Sequence, residues 1–200
     1  MSRLATSFVL GYHGCDQAVA DRLIRGADAI KPSSRDFDWL GAGAYFWEAD
    51  PHRALEWAQG RVAQGAYKTA AIVGAVIDLG NCFDLANREN IKVFRGAYEG
   101  FVAHQKASGL PMPVNKNAKD DPDENRLLRF LDCAVFQHLH KSIEEAIAAG
   151  SAIPRFDTVR GMFTEGGEIY EGCGFSERTH VQIAVRTLDC IVGVFKPLRL

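Results

Sequence analysis

The sequence predicts a single α+β domain over residues 1–200, and three observations carry that prediction. Two hundred residues suffice for one core, or one core with an insertion. The apolar share of 47% and charged share of 24% are those of an ordinary globular chain, which excludes a disordered or fibrous one. Strand-like and helix-like patterns are also partly segregated. They run strand–helix, strand–helix, strand, two long helices, then several strands.

Each element has its own signal. Residues 7–12 read as a first strand ending at His13-Gly14. Asp16 then caps a helix with Val19, Leu23 and Ile24 on one face, closed by Gly26. The polar stretch 27–39 reads as a loop. Leu40-Gly41-Ala42-Gly43-Ala44-Tyr45-Phe46-Trp47 is a glycine-rich approach to a brief strand, and Asp50-Pro51 opens a helix through about Gln64. Residues 70–79 are β-branched and almost wholly apolar, the pattern of a buried strand. A helix is expected over roughly 88–108. Asp121-Pro122-Asp123-Glu124 resembles a capping box for the next helix, which carries Leu127, Leu131, Val135, Leu139 and Ile143 every four residues and stops at Gly150. Strands 156–163, 181–186 and 190–195 follow. A loop rich in Gly and Glu (Glu165, Glu168, Glu171, Glu177) precedes the second of them.

Several function classes are excluded at this level. The net charge of −2 argues against a globally basic nucleic-acid face. The start has one basic residue and a short apolar run, unlike a signal peptide, and no run approaches the ~18 apolar residues that span a bilayer. The expectation is a cytoplasmic protein without membrane contact. Five scattered cysteines with no C-x-x-C pair read as reduced thiols. A zinc site from Cys173, Cys190, His138 and His140 lacks ligand spacing, so no metal is expected.

Three constellations can carry chemistry. In Tyr12-His13-Gly14, a strand-end histidine presents its ring to a cleft while a ligand reaches the glycine backbone; read alone, His13 is as readily a turn residue. Gly41-Ala42-Gly43-Ala44-Tyr45 is neither a dinucleotide fingerprint nor a P-loop. Its small residues make room for a flat ligand on Tyr45, or simply form a turn before a core strand. In Val181-Gln182-Ile183-Ala184-Val185-Arg186, alternation sets Gln182, Ala184 and Arg186 on one face, where Gln182 can both donate and accept as a ribose diol requires.

Taken together, Tyr12-His13-Gly14, the 40–46 stretch with its continuation from Glu48 to Trp57, and Gln182-Ile183-Ala184-Val185 resemble the signature of ADP-ribosyltransferases. The branch is that of diphtheria toxin and poly(ADP-ribose) polymerases, with its His-Tyr-Glu triad on a split β-sheet. Strand 70–79 with Cys82-Phe83-Asp84-Leu85 also fits a middle strand of that fold. The matching stretches cover about a third of the chain, and a helical insert at about 88–150 has no counterpart in the resemblance. The resemblance implies NAD as co-substrate. His13 then bonds a hydroxyl of the adenosine ribose, Gly14 holds the nicotinamide carboxamide through its backbone, and Tyr45 stacks on the nicotinamide ring. Trp57 is the nearest candidate for a second stacking aromatic, and Gln182 stands where the family has its catalytic Glu.

That substitution has a chemical consequence. The nicotinamide–ribose bond breaks through a transition state with positive charge on the sugar, which a carboxylate stabilises and an amide does not. Losing one such electrostatic stabiliser costs about 3–4 kcal/mol, or roughly 10²–10³ in rate. Chain elongation is therefore not expected. The implied activity is mono-ADP-ribosyl transfer from NAD to a macromolecule, protein or nucleic acid, with catalytic residues His13, Tyr45 and Gln182. An acidic group from the 165–177 loop is a candidate for the missing charge. Such a chain would suit an intracellular effector or a toxin held by an inhibitor protein. Three alternatives stay open: an NAD glycohydrolase, an RNA 2′-phosphotransferase using Arg155, Arg160 and Arg186, and a module that binds NAD or ADP-ribose without turnover.

Overall fold

Short polar residues start the first three helices, Asp16 and Asp50 as the sequence predicts and Asn87 in addition. Asp16 accepts from Ala18 N at 3.0 Å, Asp50 from Arg53 N at 2.9 Å with Pro51 at the first helical position, and Asn87 from Glu89 N at 2.8 Å. The structure is a computed structural model that describes residues 8–119 and 125–198. Its elements in chain order are β1 (Phe8–Asp16), α1 (Gln17–Ile24), β2 (Ala44–Glu48), α2 (Pro51–Ala63), β3 (Ala70–Asp78), β4 (Cys82–Asp84), α3 (Arg88–Ala107), α4 (Phe130–Ala148), β5 (Thr158–Phe163), β6 (His180–Val185) and β7 (Ile191–Phe195). The α+β class stands. Among the described residues, no helix is long and apolar enough to cross a membrane.

The strands form one seven-stranded sheet in the order β4-β5-β6-β2-β1-β3-β7, antiparallel except for the pair β4–β5. Its two halves are unequally joined. β1 pairs with β3 over its whole length, from Phe8↔Asp78 to Asp16↔Ala70, but with β2 only at Gly11↔Glu48 and Tyr12↔Trp47. Beyond that second pair β1 and β2 part. The long ladder to β3 also carries β1 past His13-Gly14, where the sequence had suggested its end.

Both faces of the sheet are covered. α1 brings Leu23 into one buried cluster with Cys15, Phe46, Val73, Ile77, Ile183 and Val185. On the other face α2 packs Ala54 against Trp47 and Ile72, while α4 brings Phe136 and Leu139 to Phe83, Val159 and Ala184. The expected insert is thus part of the domain's core. Phe94 of α3 lies 4.4 Å from Phe136 between ring centroids, and Phe83 of β4 lies 5.9 Å from it.

The start of α4 departs from expectation. Residues 121–123 and Glu124 lie outside the described residues, but 125–129 are not helical and Leu127 is not on the helix. Arg129 precedes the helix without a side-chain cap bond. The cap comes instead from Asn115, whose Oδ1 accepts from Leu131 N at 2.9 Å while its Nδ2 donates to Asp132 at 3.0 Å. Mutual backbone bonds between Lys116 and Leu128 pin the two segments together.

Candidate functional site

The parting of β1 and β2 is filled by a side chain. His13 Nδ1 lies 2.9 Å from the carbonyl oxygen of Tyr45. A carbonyl only accepts, so Nδ1 carries the proton and Nε2 is left as an acceptor. Burial holds the imidazole below its ordinary pKa, partly offset by that carbonyl, so the ring is neutral near pH 7.

This bond takes the acceptor that the backbone of Gly14 would otherwise meet. Leu10 O accepts from Ala49 N at 2.8 Å, so the even residues of β1 aim their N–H and C=O toward β2. Gly14 is the first even residue beyond the last pair, Tyr12↔Trp47. The Tyr45 carbonyl that would have accepted its N–H takes His13 instead. Glycine is needed here for a separate reason: a Cβ would lie 2.3 Å from the Ala54 carbonyl oxygen and 3.2 Å from the Trp57 ring. α2 therefore rests directly on the β1 backbone.

Tyr45 is fixed by both functions of its phenol, which accepts from Leu40 N at 2.9 Å and donates to Gly41 O at 2.8 Å. Burial, aided by nearby Asp38, pushes its ionisation up, so the hydroxyl stays protonated. Gly41 makes that closure possible with φ +79°. The glycine-rich stretch is thus a turn that anchors Tyr45, and Phe136 of α4 lies 3.1 Å from where a Gly41 Cβ would stand. The space beside the glycines belongs to the core and not to a ligand.

Gln182 sits on β6 opposite Trp47 and shares a sheet face with Ala184. Its Oε1 accepts from the Trp39 indole N–H at 2.6 Å. The indole can only donate, which fixes the amide and leaves its NH₂ to face other groups. Trp57, on α2, lies against Trp47 and Tyr67 at 5.9 and 5.8 Å between ring centroids.

His13, Tyr45, Trp57 and Gln182 all line one cavity of about 620 Å³. Loop residues 31–35 form another wall, tied to β2 by Ser33–Gly43 backbone bonds of 2.8 and 3.0 Å. Asp38, also in the wall, has its carboxyl pushed up by burial. Of the four loop glutamates only Glu165 is buried and reaches this cavity; Glu168, Glu171 and Glu177 are exposed. Both Glu165 oxygens accept from Arg53 Nη2, at 2.8 and 2.7 Å.

Arg53, Trp39 and His180 line the cavity too, and motif reading did not single them out. His180 had a usable signal, since it stands two residues before Gln182 in an alternating strand. Arg53 and Trp39 had none, because their partners lie 112 and 143 residues away. The three arginines of the phosphotransferase alternative are engaged elsewhere and line no part of this cavity. Arg155 pairs with Glu144, Arg160 with Glu48 and Asp84, and Arg186 with His140. No protein-family profile, curated protein or solved structure matches the chain.

Proposed function

We propose that the chain transfers ADP-ribose from NAD to a macromolecular acceptor and releases nicotinamide. The observation that carries this reading is the convergence of His13, Tyr45, Trp57 and Gln182 on one cavity. Gly14, next to His13, is buried under α2 and is not among the residues that line the cavity. A volume of about 620 Å³ suits a dinucleotide half inserted in a cleft, within the ~300–1,000 Å³ usual for ligand sites. The two-pair join between β1 and β2 agrees with the split sheet of the resembled family.

Each side chain then has a task set by its bonding. His13 Nε2 accepts from a ribose hydroxyl. Gly14 offers one N–H and one C=O in line, which match the carbonyl and NH₂ of a carboxamide. The Tyr45 ring, held by its phenol, gives a rigid face for the nicotinamide, and Trp57 a second aromatic surface. The NH₂ of Gln182 donates to a ribose oxygen, which binds the sugar without stabilising its positive charge. Bond breaking therefore leans on the positioning of NAD and on the stability of nicotinamide as a leaving group.

Incubation with NAD labelled in the adenylate, alone and with cell extract, tests this. Nicotinamide release with label on a macromolecule is the expected result. Free ADP-ribose as the sole labelled product in both mixtures would replace transfer by hydrolysis. NAD binding without nicotinamide release, or no binding, would overturn the reading.

A further inference from the structure

The same cavity has a polar corner formed by residues outside the proposed NAD-binding set. It is formed by Trp47 of β2, Arg53 of α2 and His180 of β6, all of which line the cavity. Trp47 Nε1, Arg53 Nε and His180 Nε2 are each buried and meet no hydrogen-bonding partner among the described residues. Buried polar atoms are nearly always paired, so three orphans in one wall mark a place for a ligand group.

The tautomer of His180 follows from its other nitrogen. Nδ1 lies 2.7 Å from the Arg178 carbonyl oxygen and must donate to it. Nε2 then carries the lone pair, buried on a ring that lines the cavity. The ring is stacked on Phe163 at 5.7 Å and 14°, which fixes its plane. Behind it, Glu165 Oε2 lies 3.8 Å from Nδ1 and is itself held by Arg53. This is an oriented imidazole with a carboxylate near its Nδ1, and that carboxylate is paired with Arg53. His180 stands two residues from Gln182 on the same strand face, about 6–7 Å along the cleft.

We propose, resting on the NAD-dependent reading above, that His180 is the general base that takes the proton from the group attacking C1′ of the NAD ribose. The step balances as follows. The acceptor's X–H bond breaks and its proton goes to His180 Nε2. The X lone pair forms the bond to C1′. The C1′–nicotinamide bond breaks, and its electron pair neutralises the pyridinium ring. The imidazolium afterwards releases its proton to solvent. The corner also states what the acceptor offers: a neutral X–H beside an oxygen or nitrogen lone pair, as in an amide, with Trp47 Nε1–H and Arg53 Nε–H donating to that neighbouring atom.

The charged groups acting on the imidazole are Glu165 from the β5–β6 loop, Arg53 of α2 and its N-cap Asp50, while Arg178 meets the ring through its backbone carbonyl. Burial is the largest influence and lowers the pKa below 6.5. Nicotinamide release from labelled NAD, with and without heat-treated, desalted cell extract, is measured for wild type, His180→Asn and His180→Gln from pH 5 to 8. NAD affinity and circular dichroism are followed in parallel. Asn keeps an N–H near Nδ1 for the Arg178 carbonyl, and Gln keeps a polar atom near Nε2. The expected result is folded variants that still bind NAD but release nicotinamide at least 10²-fold more slowly. The wild-type acid limb, centred below pH 6.5, should vanish in both. If either folded variant keeps a rate within about threefold of wild type, or the same acid limb, His180 is not the base. A wild-type protein that releases no nicotinamide under any condition would instead remove the NAD reading itself.

Discussion

The Trp39–Gln182 bond decides what a carboxylate would do at position 182. The indole N–H donates to Gln182 Oε1 at 2.6 Å, and a glutamate would offer the same lone pair in the same place. Gln182→Glu therefore costs no hydrogen bond at the indole, and on the proposed reading it adds a negative charge beside the sugar carbon that becomes positive. The expected outcome is faster nicotinamide release, by up to about 10²-fold. Chromatographic quantification of nicotinamide over time measures it. Unchanged or slower release would show that the amide's NH₂ is itself required. The bond also explains why a residue so specific in appearance was ambiguous as sequence. Whether Gln182 points to solvent or to a site depends on Trp39, and nothing local to either residue connects them. His13 is similar: its motif located it, but its role in replacing the strand ladder at Tyr45 shows only in three dimensions.

Elements with local signals were legible, and those fixed by distant residues were not. α1, α2 and α3 start where Asp16, Asp50 and Asn87 satisfy the first N–H groups, and β3 follows its apolar run. α4 starts at Phe130, because Asn115, fifteen residues earlier in the chain, supplies the cap. Asn115→Ala should therefore behave as the loss of an N-cap. Destabilisation of about 1 kcal/mol is expected, within the usual 0.5–2 kcal/mol range. Urea unfolding of the variant against wild type reads this directly, and Asn115→Asp, which keeps the acceptor but sets a carboxylate against Asp132, should recover only part of the loss. An equal loss in Asn115→Asp would mean that the Nδ2 bond to Asp132 matters more than the cap.

At the scale of the whole molecule, the core and the cavity share a dependence on neutral histidines. His13, His140 and His180 are all shifted below the ordinary histidine value, each chiefly by burial. His140 is the strongest case, lowered to about 3 with Arg186 adding to the effect and Glu144 opposing it. Arg186 Nη1 donates to its Nδ1 at 2.7 Å, which a protonated ring could not accept. In the unfolded chain each of these rings titrates near 6.5. Between that value and the lower folded value the unfolded state binds more protons, so stability falls as pH falls. For His140 alone the loss between pH 7.5 and pH 5 amounts to about 2 kcal/mol. The urea midpoint should accordingly drop over this interval with an unchanged slope. In His140→Gln, where an amide oxygen can accept from Arg186 but does not titrate, the drop should shrink by about that 2 kcal/mol. A drop of equal size in the variant would mean that Arg186 and His140 are separated before the ring is protonated, and that the acid sensitivity arises at the cavity histidines.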